Sequence, residues 1–245
     1  MKRVKITFSY DGSEFNGFQI QKHEDRVQKS VAGYITKALR KLNIPSSLVG
    51  SGRTDKGVHA LSQVAHFDLP TYWENIDKLQ TKLTKMLLPH IYIKKLELVD
   101  DSFHARFSAK KRYYRYILYK GSYNPFFAKY ALHVKSIDTQ KLDKIIKHFI
   151  GSHNFEYFRK NGSENKSDVR EIFDAGAYDY QNFTVVYFYG NSFLRSQVRM
   201  MCDFSLKVMQ EKFSIKELQE QLERKQKHAT SLSPASGLYL SKIYY

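Results

Sequence analysis

The chain has 245 residues, of which 42% are hydrophobic and 26% are charged, and 40 Lys or Arg stand against 24 Asp or Glu for a net charge of +16. This composition excludes a disordered chain. The single cysteine, Cys202, excludes an internal disulfide framework and a cysteine-cluster zinc site. The positive surplus favours a polyanionic partner, because each phosphate that a cation neutralises releases counterions. A basic surface that serves only solubility is the alternative.

The first half of the chain predicts strands and helices in alternation. Apolar residues alternate with polar ones from Val4 to Tyr10, which indicates a half-buried strand rather than the apolar run of a signal peptide. The further predicted elements are a helix over about 26–42, a strand over Ser62–Asp68, a helix that Asn75 caps and Pro89 ends, and a strand over Ile91–Leu98. No run of 18 apolar residues is present, so we expect no membrane span and a cytoplasmic protein.

The second half repeats this alternation. Its predicted elements are a strand over Tyr113–Tyr119, a helix that begins at Asp138 or Thr139, two strands over about 169–189 with a turn at Asp179–Asn182, a helix from Phe193 to about Met209, a helix opened by the capping box Ser214-x-x-Glu217, and a final strand at Leu238 and Leu240.

Strands and helices mix without a strict βαβ rhythm, which predicts an α+β fold. We expect two similar halves, residues 1–105 and 106–245, that form one catalytic unit. In this prediction an antiparallel sheet is joined across a central cleft, with helices on one face.

The segment most informative about chemistry is the glycine-rich loop from Gly50 to Gly57. Three glycines in eight residues permit tight turns, and Arg53, Thr54 and Asp55 place a cation, a hydroxyl and a carboxylate between them. It is neither a phosphate-binding P-loop nor a dinucleotide fingerprint, because no G-K-[ST] follows and G-x-G-x-x-G is not met. Loops of this composition are also common on protein surfaces, so the residues alone are compatible with a functional loop and with an ordinary surface turn.

The stretch Gly52-Arg53-Thr54-Asp55-x-Gly57-Val58-His59-Ala60 resembles the signature loop of the TruA family of pseudouridine synthases, which isomerise uridine in the anticodon arm of tRNA. Further resemblances follow in the family's order along nearly the whole chain. They are Tyr10-Asp11-Gly12-x-x-Phe15-x-Gly17-Phe18-Gln19, Val27-Gln28, Phe103-His104-Ala105-Arg106-Phe107-Ser108-Ala109 with Arg112-x-Tyr114-x-Tyr116, Phe155-x-x-Phe158-Arg159, Val169-Arg170, Asn191-x-Phe193-Leu194-x-x-x-Val198-Arg199 and Gly237-Leu238-Tyr239-Leu240.

The resemblance implies a reaction that breaks the N1–C1′ bond of uridine, turns the uracil and rejoins it through C5, so neither a cofactor nor a metal is expected. It makes Asp55 the nucleophile and leaves open whether the carboxylate attacks the ribose, attacks the base or assists elimination. Arg199 would keep Asp55 ionised, since two opposite charges about 4 Å apart attract by roughly 4 kcal/mol at intermediate dielectric. Tyr114 would stack on the target uracil, and Arg53 would fill the space that the flipped base leaves.

The same resemblance implies a homodimer that modifies uridines 38, 39 and 40 of tRNA. Two alternatives remain, a non-catalytic factor that binds or folds tRNA and a pseudouridine synthase that acts on another RNA. The chain departs from the family pattern at Arg195-Ser196-Gln197, at Asp203 and at Thr84, and these positions bear on the choice of uridines.

Overall fold

The computed structural model of the protein describes residues 1–23, 26–27, 29–162 and 166–245. The chain divides into two compact units, one formed by Met1–Lys110 with Leu240–Tyr245 and the other by Lys111–Tyr239. The sequence placed this division at residue 105 and assigned the C-terminus to the second half. Residues 105–110 instead bind the end of the chain, because the Lys110 amide donates to the Tyr244 carbonyl at 2.8 Å.

The first unit is an antiparallel sheet with two helices. Its elements are β1 (Lys2–Tyr10), β2 (Lys22–His23), β3 (Arg26–Val27), α1 (Val31–Lys41), β4 (Val49–Gly50), β5 (His59–Leu69), α2 (Ile76–Leu87) and β6 (Ile91–Val99). β1 lies between β5 and β6 and runs antiparallel to both. β4 extends the sheet beside β5, while β2 and β3 form a separate two-stranded ribbon.

The second unit combines a mostly antiparallel sheet with three helices. Its elements are β7 (Lys111–Tyr119), β8 (Leu132–His133), α3 (Thr139–Ile146), β9 (Gly151–Asn154), β10 (Val169–Tyr180), β11 (Phe183–Gly190), α4 (Gln197–Met209), α5 (Ile215–Leu222) and β12 (Leu238–Tyr244). The order β7-β11-β10-β9 is antiparallel throughout, and β8 runs parallel to its neighbour β7. β12 starts here, and its residues from Leu240 onward join β5 in the first unit. The predicted α+β class is confirmed.

The strand predicted at the N-terminus is confirmed by the burial of β1. Val4, Ile6 and Phe8 are fully buried, whereas the residues between them are partly exposed. Such alternation places every second side chain on the core face of the sheet. α1 packs its buried residues, Ile35 and Leu39 among them, into the core of the same unit.

The predicted start of the first helix is wrong. α1 begins at Val31, because Ser30 is extended and its hydroxyl accepts the Gly33 amide at 3.3 Å, which fixes the N-cap there. Arg26 and Val27 form β3 instead. Gln28, which the prediction included in the helix, lies outside the described residues.

The other predicted caps are confirmed. Asn75 accepts the Lys78 amide at 2.7 Å, Asp138 accepts the Lys141 amide at 2.9 Å, and the capping box of Ser214 is complete. Among the residues that the structure describes, every helix is too short or too polar to cross a bilayer.

The predicted start of the fourth helix, Phe193, is wrong. α4 begins at Gln197 because Ser196 has a left-handed backbone, with φ of 59°, that interrupts the helix. The Gln197 side chain then accepts the Leu194 amide at 2.7 Å, which stabilises the irregular segment before the helix.

Candidate active site

The glycine-rich loop joins β4 to β5 and is anchored at its beginning by Ser51. The Ser51 amide donates to the Val64 carbonyl at 2.8 Å, and its buried hydroxyl donates to the Gln63 side chain at 2.6 Å. The amide nitrogen of the same Gln63 donates to the Gly52 carbonyl at 3.3 Å. A fully buried glutamine of β5 therefore fixes the entry into the loop.

Thr54 anchors the middle of the loop. Its side chain is buried, and its hydroxyl lies 2.8 Å from the phenol oxygen of Tyr10 at the end of β1. Its carbonyl accepts the Phe18 amide at 3.1 Å. The end of β1 thus holds the side chain of Thr54, and the segment that follows β1 holds its backbone.

Two glycines allow the chain to pass close to Thr54 and turn after Asp55. Gly17 has φ of +101°, and a Cβ there would lie 2.9 Å from the Thr54 carbonyl oxygen. The Val58 amide donates to the Asp55 carbonyl at 3.2 Å and closes a tight turn, in which Gly57 has φ of +80°. A positive φ at this third position is the requirement of a type II turn, and glycine meets it without strain.

The loop leaves into β5 through His59, which is buried. Its Nδ1 accepts the Gly12 amide at 3.0 Å and lies 3.2 Å from a carboxylate oxygen of Asp11. Since a Cβ on Gly12 would overlap the Val58 carbonyl, only glycine permits this close approach. The turn after β1 therefore braces the loop at its exit as well as at Thr54.

This bracing leaves Arg53 exposed and Asp55 half-buried on either side of a buried Thr54. Because the side chain and the backbone of Thr54 are both held, the directions in which its two neighbours can point are restricted. The loop can therefore hold one carboxylate in a restrained position where a substrate can still reach it.

In the second unit, Tyr114 lies on β7 directly opposite Phe188 of β11. The side chain is half-buried, and its ring meets the edge of Phe193 at 5.1 Å between centroids, with an interplanar angle of 80°. Edge-to-face pairs of this kind hold an aromatic ring at a defined angle. Tyr114 is therefore an oriented ring with part of its surface accessible.

Arg199 lies near the start of α4 and is held by the segment before β12. Its Nε donates to the Ser233 carbonyl at 2.8 Å, while the Ser233 amide donates to the Arg199 carbonyl at 3.2 Å. Val198 and Met200 on either side are buried. The guanidinium therefore projects from a fixed stem rather than from a mobile surface position.

A family model described as tRNA pseudouridine synthase matches residues 6–108 and 145–245. The chain belongs to the tRNA pseudouridine synthase family. Curated relatives named tRNA pseudouridine synthase A match it over its whole length. The relative from Campylobacter jejuni, strain NCTC 11168, is 44% identical over 245 residues, which is 100% of both chains. The relatives from Helicobacter hepaticus and Limosilactobacillus reuteri DSM 20016 are 40% identical over 250 residues and cover 100% of this chain, and this chain covers 100% and 97% of theirs.

A solved Cbf5-Nop10-Gar1 complex aligns with a TM-score of 0.32 and 13% identity over 78% of this chain and 44% of that chain, which is too distant to support an argument. Membership of the tRNA pseudouridine synthase family confirms the predicted enzyme class. The protein is a TruA-type isomerase that converts uridine to pseudouridine, and tRNA is its substrate.

Within this synthase, the structure places the predicted site residues in two groups. Arg53 and Asp55 lie on one loop of the first unit, and Tyr114 and Arg199 lie on β7 and α4 of the second. Sequence reasoning missed the residues that support them, Tyr10, Gln63 and Ser233. Tyr10 stood in a stretch that resembles the family, which was a usable signal, but nothing in the sequence marked Gln63 or Ser233.

Proposed function

We propose that this synthase modifies uridines 38, 39 and 40 in the anticodon stem-loop of tRNA and that Asp55 is its nucleophile. The observation that most supports Asp55 as the nucleophile is the buried contact between Thr54 and Tyr10, which restrains the loop while Asp55 stays half-buried. A carboxylate that is already positioned loses little entropy when it meets the substrate, and such positioning contributes several kcal/mol to catalysis.

The reaction needs only bond exchange and proton movement. The N1–C1′ bond breaks, the uracil turns, a C5–C1′ bond forms, the C5 proton leaves and N1 gains a proton. Asp55 assists in one of two ways. It bonds covalently to ribose or base, and that bond breaks again when or after the C5–C1′ bond forms, or it assists elimination by taking a ribose proton that it later returns. The target base must first leave the helical stack, which costs a few kcal/mol.

The other three residues support these steps in our proposal. Arg199, whose side chain is fixed by the Ser233 carbonyl, contributes a positive charge to the binding of the tRNA substrate. The oriented ring of Tyr114 offers a stacking surface for the flipped uracil. The exposed guanidinium of Arg53 occupies the space that the base leaves, where its flat shape can stack on neighbouring bases.

We also propose that the synthase acts as a homodimer, with one tRNA contacting both subunits. Sedimentation of the free protein and of its complex with unmodified tRNA tests this assembly. A complex that contains a single protein chain at micromolar concentration would contradict it.

The decisive experiment is a map of pseudouridine in total RNA from cells that lack the protein and from the same cells that express it. Expression of the native chain restores pseudouridine at positions 38–40 of tRNA, and Asp55→Asn does not. Asp77→Asn is the matched control, since Asp77 is an exposed carboxylate of the first unit on α2. Restored pseudouridine at other tRNA positions would overturn the choice of uridines, and an active Asp55→Asn variant would overturn the nucleophile.

A further inference from the structure

The motif Phe103–Ala109 has no role in the reaction described above, and it presents a largely exposed aromatic side chain to solvent. Phe107 is 76% exposed, although phenylalanine is one of the residues most often buried. Leaving such a ring in water forfeits most of the stabilisation that its burial would contribute. Single exposed apolar rings are common on protein surfaces, and what marks Phe107 is the ordered turn that carries it and the cation beside its ring.

The turn that carries Phe107 is ordered by His104. Its Nδ1 accepts two backbone amides, from Arg106 at 3.2 Å and from Phe107 at 3.3 Å. Its own amide donates to the Ser108 hydroxyl at 3.0 Å, and the Ser108 amide donates back to the His104 carbonyl at 2.8 Å. The backbone on both sides of Phe107 is thus closed into one small hydrogen-bonded turn.

The same turn is fastened to the core of the first unit through Ala105, which is fully buried. The Ala105 amide donates to Nδ1 of His66 at 3.1 Å, and its carbonyl accepts the phenol of Tyr245 at 2.8 Å. The imidazole of His104 lies 4.4 Å from the Phe107 ring, centroid to centroid. The backbone beside Phe107 is therefore fixed to the core, and its ring lies against His104. A ligand would meet an aromatic surface that is already ordered.

The charge that follows this turn in sequence is positive. No Asp or Glu occurs between Asp101 and Asp138, whereas eight Lys or Arg occur there. The Arg106 guanidinium lies 5.7 Å from the centre of the Phe107 ring. These eight cations are Arg106, Lys110, Lys111, Arg112, Arg115, Lys120, Lys129 and Lys135. This surplus of cations favours a partner with negative charge, and RNA carries one on every nucleotide.

We propose that Phe107 is a stacking platform for an unpaired base of the tRNA substrate, at a contact separate from Asp55. Bases stack on aromatic side chains, and each such contact contributes about 1–3 kcal/mol to binding. A cation beside the ring suits the phosphate of the stacked nucleotide. This inference rests on tRNA as the substrate, and it does not depend on the role proposed for Asp55.

Binding of unmodified tRNA to Phe107→Leu tests the stacking. Leucine keeps the apolar character and removes the aromatic face, so we expect the dissociation constant to rise roughly 5- to 150-fold. Phe107→Tyr keeps the aromatic face, so its dissociation constant stays at the native value. The dependence of binding on salt stays as in the native chain, because no phosphate contact is lost. Tyr92→Leu is the matched control, since Tyr92 is a 52% exposed aromatic residue of the same unit on β6.

A photocrosslinking residue at the same position identifies the partner directly. With Phe107→p-benzoylphenylalanine, irradiation of the tRNA complex joins the protein to tRNA, and the same replacement at Tyr92 does not. Normal affinity of Phe107→Leu, or a crosslink to a second protein chain in place of tRNA, would overturn the proposal. If Phe107→Leu binds normally while Asp55→Asn is inactive, this inference fails and the nucleophile assignment stands.

Discussion

The phenol oxygen of Tyr10 lies 2.8 Å from the hydroxyl of Thr54, and both side chains are buried. The two residues are 44 positions apart in the chain. This hydrogen bond ties the end of β1 to the residue that precedes Asp55. The central strand of the first unit therefore positions the candidate nucleophile, and this contact can be tested without altering Asp55.

Tyr10→Phe removes the hydrogen bond and keeps the ring. We expect the free energy of unfolding to fall by about 1–2 kcal/mol, because a buried hydroxyl loses a partner. The rate of pseudouridine formation falls while the affinity for tRNA stays near its native value, since the loop loses its restraint. Urea unfolding and single-turnover kinetics measure both effects. In a double-mutant cycle with Thr54→Val, a coupling energy below about 0.5 kcal/mol would show that this hydrogen bond does not contribute to the free energy of unfolding.

Gly17→Ala and Gly52→Ala form a matched pair of substitutions around the same loop. At Gly17 the backbone has φ of +101° and a Cβ would lie 2.9 Å from the Thr54 carbonyl, whereas a Cβ on Gly52 would meet no atom within 4 Å. We expect Gly17→Ala to lower the free energy of unfolding by at least about 1–2 kcal/mol. Gly52→Ala changes it by less than about 0.5 kcal/mol. Thermal unfolding of both variants measures the difference, and equal stabilities would contradict the packing described here.

His66 makes the stability of the first unit depend on pH. Burial, reinforced by the positive charge of Arg3, lowers the pKa of His66 to about 4, and its Nδ1 accepts the Ala105 amide. The unfolded chain binds this proton near pH 6.5, so stability is present above that pH and is lost as the pH falls toward 4. The loss is on the order of 3 kcal/mol. Asp68 contributes nothing to this window, because the Arg3 hydrogen bond lowers its pKa below the usual value.

The measurement is urea unfolding at pH 7 and pH 4.5 for the native chain and for His66→Gln. We expect the glutamine variant to lose less stability over this range, since it has no proton to bind. A pH dependence identical to that of the native chain would show that proton binding at His66 does not contribute to the pH dependence of stability.

Gln221 satisfies four backbone groups in the second unit while fully buried. Its amide nitrogen donates to the carbonyls of Tyr157 and Ala229 at 3.0 Å, and its oxygen accepts the amides of His228 and Ala229 at 2.7 and 2.9 Å. Gln221→Leu therefore costs about 2–4 kcal/mol, because it leaves buried polar groups without partners. Gln219→Leu, on the exposed side of α5, is the control and is close to neutral. Comparable losses in both variants would count against this account.

Local patterns were sufficient for much of the fold. The alternation in β1 and the caps at Asn75, Asp138 and Ser214 correctly predicted elements, since each depends on residues within a few positions of one another. The start of α4 was wrong, because the left-handed backbone at Ser196 depends on contacts that no periodicity reports. The site residues were named from resemblance, and their roles stay predictions.

The sequence by itself determined the α+β class and membership of the family, and it pointed to the glycine-rich loop as the candidate site, because each is encoded in composition, periodicity or contiguous motifs. Only the tertiary structure decided which residues hold that loop and where the units divide. The Tyr10–Thr54 bond, the Ala105–His66 bond and the pairing of Lys110 with Tyr244 join residues far apart in the chain. Such contacts form when strands fold side by side, so the order of the residues along the chain does not reveal them.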